Sequence, residues 1–195
     1  MKRVVLVRHG ETEWSASGRH TSHTDVPLTG RGEQLAAMLG RRLGELGIVP
    51  TARLSSPRSR AVHTARLAGL GDGLVIDERL RELDYGEYEG RTTVDIHVER
   101  PTWDLFRDGS PGGESMAAAG ARADDLLAEL APEEGEGDVV LVGHGHFSRI
   151  LAARYLGFGP ASARHLALGT ASVSVLGHEH AWRAVVLWND QVRPR

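Results

Sequence analysis

Val5-Leu6-Val7-Arg8-His9-Gly10-Glu11-Thr12, VLVRHGET, opens a chain of 195 residues. Val4 to Val7 form an unbroken apolar run, the pattern of a strand in a sheet covered on both faces. The strand, predicted over Arg3 to Arg8, ends in a guanidinium, an imidazole and a glycine. The pattern returns at Val139 to Val142, which runs into Gly143-His144-Gly145.

The rest of the chain alternates between two periods. Short strands are predicted at Ala52 to Ser55 and Leu74 to Ile76. Leu35, Met38, Leu39, Leu43 and Leu46 have helical spacing that ends at Gly47. Pro57 suits the first turn of a helix carrying Ala61, Ala65 and Leu67. Further helices are expected from Pro101 to Arg107, Glu114 to Leu130 and Phe147 to Leu156. Two strands, near Ala171 to Leu176 and Ala184 to Leu187, close the chain. This alternation implies an α/β fold: a three-layer sandwich with a mostly parallel central sheet and helices on both faces. Residues 1–195 read as one domain, with Pro132 to Asp138 an acidic turn and not a linker. The polar stretch through Thr29 and the segment Leu80 to Gly90, LRELDYGEYEG, read as loops, and long ordered loops usually carry function.

Composition excludes several classes. The formal charge is 23 − 26 = −3, with no basic excess to neutralise a nucleic acid. With no cysteine, disulfides, thiolate catalysis and Cys-ligated zinc are excluded. Lys2 is the only lysine, which leaves no Walker loop and no Schiff-base lysine. No apolar run is long enough for a bilayer and no signal-peptide core is present, so a cytoplasmic protein without a membrane partner is expected.

Ligands of open parallel sheets bind at the carboxyl ends of the strands. Three such ends are loaded: Arg8-His9-Gly10, Ser55-Ser56-Pro57 leading to Arg58 and Arg60, and Gly143-His144-Gly145. Histidines and arginines gathered there make a pocket for an anion, and the planar guanidinium suits phosphate. A neutral imidazole close to phosphorus serves as a nucleophile. A second imidazole and two guanidiniums stabilise charge on the equatorial oxygens during transfer. The H-x-H pairs His144/His146 and His178/His180 lack an accompanying carboxylate motif, so neither a metal nor another cofactor is expected. His178 and His180 flank a predicted hairpin turn. His20 and His23 lie in the long polar loop and either line the pocket or face solvent.

These residues resemble the histidine phosphatase superfamily, the phosphoglycerate-mutase-like proteins. The resemblance runs through RHGETEW, LTGRGEQLA, SSPRSRAVHTA, LRELDYGEYEG, GGES and VVLVGHG in the family's order, over nearly the whole chain. It implies that His9 is the nucleophile that becomes phosphohistidine and that Arg8 and Arg60 clamp the phosphoryl oxygens. It makes His144 the second imidazole. Glu82 matches the acid that protonates the leaving oxygen, and an alkoxide leaves poorly without a proton. Ser15 and Thr21 fall where the family places small hydrogen-bonding residues near the phosphate. Arg58 does not match the motif and reads as a solvated charge. Glu11, the rival carboxyl, reads as support or a helix cap. Trp14, Tyr85, Trp103 and Phe147 are candidates to shape the pocket, with core packing the readier role for the last two.

Within that resemblance the alternative activity is a cofactor-dependent phosphoglycerate mutase, which needs added basic loops to exclude water. No basic insertion follows LDYGEYEG, and Ser15 stands where mutases carry asparagine. The run TEWSASGRHTSHTDVPLT is most similar to small broad-specificity acid phosphatases and to phosphatases of sedoheptulose bisphosphate. The expectation is metal-independent hydrolysis of a small phosphomonoester, a sugar phosphate first of all. The other alternative is a member that keeps the fold and binds phosphate without cleaving it. The closing strands are free to pair in a homodimer, although nothing in their pattern requires it.

Overall fold

A computed structural model describes residues 3–130 and 137–193. The acidic turn expected at Pro132 to Asp138 lies outside them over 132–136. The strands are β1 (Arg3–Arg8), β2 (Pro50–Ser55), β3 (Leu74–Ile76), β4 (Asp138–Gly143), β5 (Ser172–Glu179) and β6 (Trp182–Gln191), in the order β3-β2-β4-β1-β5-β6. β3, β2, β4 and β1 run parallel; β5 pairs antiparallel with β1, and β6 antiparallel with β5. The helices are α1 (Glu13–Ala16), α2 (Gly30–Glu45), α3 (Ser59–Leu67), α4 (Thr93–Glu99), α5 (Leu105–Asp108), α6 (Met116–Leu130) and α7 (Gly145–Tyr155).

The strand pleat divides the apolar runs between two cores, because successive side chains point to opposite faces. Val5, Val7, Val140 and Val142 pack with Leu35, Leu39 and Leu43 of α2 and Ala61 and Ala65 of α3. Val4, Leu6, Val139 and Leu141 pack with Leu126 of α6 and Phe147 and Leu151 of α7. The architecture is the expected sandwich, with a mostly parallel sheet between helical layers. Among the described residues no helix is long and apolar enough to cross a membrane.

Local differences have local causes. α2 starts at Gly30, before the apolar periodicity, because Thr29 caps it: its Oγ1 accepts from Gly32 N–H at 2.9 Å. Pro57 lies outside α3, whose N-cap position is Arg58 and whose first N–H, on Ser59, donates to Asp25 at 3.0 Å. Pro101 to Asp104 is not helical, and the turn forms earlier, as α4. β-branched residues disguise α4 and only Ile96 is buried, but a Thr92–Asp95 capping box starts it. β5 and β6 outrun their apolar residues because backbone pairing continues through His178–Arg183 and Glu179–Trp182.

Candidate active site

Adjacency of β1 and β4 builds the centre of the site. Arg8 stands opposite Gly143 in the ladder, and His9 N–H donates to the Gly143 carbonyl at 3.0 Å. His9 and His144 therefore leave the sheet side by side, ring centroids 5.2 Å apart and planes 65° apart. β2, on the other side of β4, delivers Ser56, and α3 behind it delivers Arg60. The turn after His9 requires glycine. A Cβ on Gly10 would lie 2.5 Å from the Gly32 carbonyl oxygen, and one on Gly32 would lie 2.1 Å from that of Glu11. Only glycines let the start of α2 press backbone to backbone on this turn.

His9 is held with one ring nitrogen free. Its Nδ1 is 2.7 Å from the Gly10 carbonyl. A carbonyl only accepts, so Nδ1 carries the proton and Nε2 of the neutral ring keeps its lone pair. Burial, then the charges of Arg8 and Arg60, hold the imidazole well below its usual pKa. It is therefore neutral at pH 7. Burial, then Arg60, does the same for His144.

Around the two rings stand buried donors with no partner among the described residues. Arg8 Nη1 donates to the Leu168 carbonyl, while Arg8 Nε is buried and unpartnered. Arg60, 1 % exposed, donates to the carbonyls of Thr24 at 3.1 Å and Thr21 at 3.2 Å, and its Nε is likewise buried and unpartnered. His144 Nε2 is 2.7 Å from Ser56 Oγ, and its Nδ1 has no partner. A Ser56 hydroxyl donating to Nε2 leaves the His144 proton on Nδ1. Burial lowers the pKa of both arginines, yet a guanidinium stays charged in proteins. Buried polar groups are normally satisfied, so three orphaned donors around one lone pair describe the complement of an oxyanion.

Glu82 is fixed at the start of α7. Oε1 accepts from Leu83 N–H at 2.9 Å and Phe147 N–H at 2.8 Å, and Oε2 accepts from His146 N–H at 3.0 Å. It lines a cavity of about 200 Å³ together with Arg8, His9, Tyr85 and His146. The Tyr85 hydroxyl bonds to His146 Nδ1, and burial raises its pKa well above the usual phenol value.

The structure thus brings Arg8, His9, Arg60, Glu82 and His144 to one place. Ser15 and Thr21 also line the cavity, but their hydroxyls are engaged elsewhere. Ser15 Oγ accepts from Thr12 N–H and donates to its carbonyl, closing the cap of α1. Thr21 Oγ1 donates to the Arg19 carbonyl, so Thr21 serves the site through the carbonyl that holds Arg60. Arg58 is only partly solvated: its Nε is buried, and its exposed Nη2 lies 3.3 Å from His23 Nδ1, whose Nε2 pairs with Asp84 at 3.0 Å. Glu11 is turned away, accepting from Thr29 Oγ1 at 3.0 Å. Trp103 and Phe147 belong to the core. His20 is 7 % exposed and lines the cavity, and burial lowers its pKa to about 4. His146 and Arg149 are further lining residues that no motif reading singled out as such, and Arg19, which the sequence leaves open between a structural role and substrate contact, lines the cavity with them. A helical count from Gly145 places Arg149 one turn on, and that spacing is the one signal that could have found it. Among the described residues no group of three or more His, Asp or Glu is placed to hold a metal ion.

Imidazoles paired at the ends of parallel strands, with Arg8 and Arg60 beside them, define a class, the α/β proteins with a histidine-centred site. The chain belongs to the histidine phosphatase superfamily, branch 1, and is one of its enzymes: the family model matches residues 4–191. It is 42% identical over 185 residues to an acid phosphatase of Mycobacterium tuberculosis, covering 95% of this chain and 91% of that one. The solved structure of an open reading frame from Mycobacterium tuberculosis matches with a TM-score of 0.93 at 40% identity, over 97% of this chain and 98% of the other. A mycobacterial glucosyl-3-phosphoglycerate phosphatase, solved with VO3, matches with a TM-score of 0.86 at 31% identity, over 98% and 100%.

Proposed function

We propose that the protein hydrolyses phosphate monoesters of small metabolites, sugar phosphates among them, through a phosphohistidine on His9 and without a metal. The observation that carries this reading is the set of buried donors with no partner among the described residues, Arg8 Nε, Arg60 Nε and His144 Nδ1, around a neutral His9. The solved relative that acts on a phosphorylated glucosyl compound, crystallised with VO3, supports it.

In the first step His9 Nε2 attacks phosphorus and the bond from phosphorus to the alcohol oxygen breaks. Glu82 gives that oxygen a proton, since an alkoxide is a poor leaving group. Arg8, Arg60 and His144 hold the equatorial oxygens, where charge accumulates in the transition state. In the second step water attacks the phosphohistidine, its proton passes to Glu82, and the phosphorus–nitrogen bond breaks to release phosphate. Neutral His9 needs no deprotonation before it attacks, which is the consequence of its burial beside two guanidiniums.

The test is phosphate release from p-nitrophenyl phosphate and a panel of sugar phosphates in excess EDTA, with His9→Ala alongside. Activity is expected to survive EDTA and to fall about a thousandfold or more in the variant. A variant with near wild-type turnover would overturn the nucleophile, and loss of activity in EDTA would overturn metal independence.

A further inference from the structure

Glu82, the acid of the reaction proposed above, stands on a stretch of chain without regular structure. Residues 81–85 belong to no helix or strand, so no ladder fixes the main chain that carries the carboxyl. The carboxylate is seated from two sides. One is its own segment, through Leu83 N–H, and the other is the start of α7, through the N–H groups of His146 and Phe147. Its aim at the leaving oxygen is kept only while these two sides keep their relative position.

One side chain touches both. Arg122, on α6, donates from Nη1 to the carbonyls of Arg79 at 2.7 Å and Arg81 at 2.8 Å, the second of which adjoins Glu82. The same guanidinium lies 3.8 Å over the ring of Phe147. Its remaining edge is filled by Glu114: Nε donates to Oε1 at 2.9 Å and Nη2 to Oε2 at 2.6 Å. Glu114 is itself tied to the acid's segment, since its N–H donates to the Asp84 carbonyl at 2.9 Å. The Arg122 and Glu114 side chains are 11% and 16% exposed, and no other ion pair among the described residues has both partners so enclosed. Desolvation of an enclosed pair offsets much of its attraction, whereas the planar fork fixes direction. An ammonium could not stack on a ring, meet a carboxylate with two bonds and reach two carbonyls at once.

We propose that Arg122, aimed by Glu114, is a positioning residue for the general acid: it clamps the main chain before Glu82 to the first turn of α7 and so holds the carboxyl where it protonates the leaving oxygen. The proposal rests on the phosphatase reading with Glu82 as its acid, and deepens it. Neither Arg122 nor Glu114 lines the cavity that opens from His9, so their removal is read through Glu82.

The experiment measures kcat/KM for glucose 6-phosphate, whose alkoxide needs a proton to leave, and for p-nitrophenyl phosphate, whose nitrophenolate does not. The proteins are wild type, Arg122→Met, Glu114→Gln, Glu82→Gln and the pairing of Arg122→Met with Glu82→Gln. A merely structural loss lowers the active fraction and cuts both substrates by one factor. The ratio of the sugar phosphate to the nitrophenyl ester is expected instead to fall about tenfold or more in Arg122→Met and severalfold in Glu114→Gln, part of the roughly 10²–10⁴-fold that an acid supplies. With Glu82→Gln already present, Arg122→Met is expected to lower the ratio no further, because two changes that act through one group do not add. An unchanged ratio in Arg122→Met, or a further fall in the paired variant, would overturn the proposal. If Arg122→Met does not fold, Glu114→Gln decides, alone and combined with Glu82→Gln, by the same two outcomes. A ratio that Glu82→Gln itself leaves unchanged would overturn the acid, and no hydrolysis of either ester by wild type would overturn the phosphatase reading, so these failures are distinguishable from that of Arg122.

Discussion

Acid is expected to unfold the ligand-free protein through its histidines before its carboxylates take part. His9, His20, His144 and His146 all have imidazole pKa values lowered in the folded state, chiefly by burial. In the unfolded chain each returns to about 6.5. The unfolded state therefore binds more protons below that value, and stability falls as pH drops from about 6.5 toward the folded-state values. For His20 that window runs down to about 4. A histidine that stays neutral when folded loses about 1.4 kcal/mol of stabilisation at pH 5.5 relative to neutral pH. With all four neutral the upper limit is about 5 to 6 kcal/mol, comparable to the whole stability of many domains. Asp84, Asp138 and Glu89 have lowered pKa values, so their contributions are lost at lower pH, from the ordinary carboxylate range down through their folded-state values. The assay is urea unfolding at pH 7.5, 6.5 and 5.5, followed by fluorescence of the four tryptophans. Saturating inorganic phosphate should recover part of the loss, because an anion against Arg8 and Arg60 stabilises the folded state by mass action. A free energy of unfolding that stays level from pH 7.5 to 5.5 would refute the reasoning. So would a His20→Gln variant with the full wild-type pH slope.

Glu82→Gln is expected to slow alkyl phosphates by about 10²–10⁴-fold and p-nitrophenyl phosphate much less, because nitrophenolate leaves without a proton. Equal losses on both would show that Glu82 is not the acid. Gly32→Ala would place a methyl 2.1 Å from the Glu11 carbonyl oxygen, so the start of α2 must move. The expected destabilisation is about 1–3 kcal/mol, together with a fall in kcat as the His9 turn shifts. An unchanged Tm would show that the backbone contact at this turn is slack.

Much of the site was legible because strand ends announce themselves. An apolar run that stops at Arg8-His9-Gly10, and another that stops at Gly143-His144-Gly145, can lie next to each other only if the strands pair. Glu82 and Arg60 followed from motif resemblance, not from periodicity. Ser15 was legible as a lining residue, but its hydroxyl was not. A serine three residues after a threonine also closes a capping box, and in this loop the cap takes the hydroxyl. Arg58 and His20 were misjudged or left open because exposure of a loop residue depends on what folds over it. His20 is covered by Tyr85 and Trp103, residues more than sixty positions away.

The sequence by itself determined the layered α/β architecture, the central strands and which histidines and arginine stand at their ends. Apolar runs, helical spacing and strand-end residues are local properties, and the ladder brings them together with little freedom. Tertiary structure alone decided which donors are left unpartnered. Hydrogen bonds from Arg60 to Thr21 and Thr24, and from Arg149 to Ala163 and Arg164, use some guanidinium nitrogens and leave others free. Each partner is a backbone carbonyl, a group every residue carries. No residue type marks it in advance, and only the folded path of the chain sets which carbonyl meets which arginine.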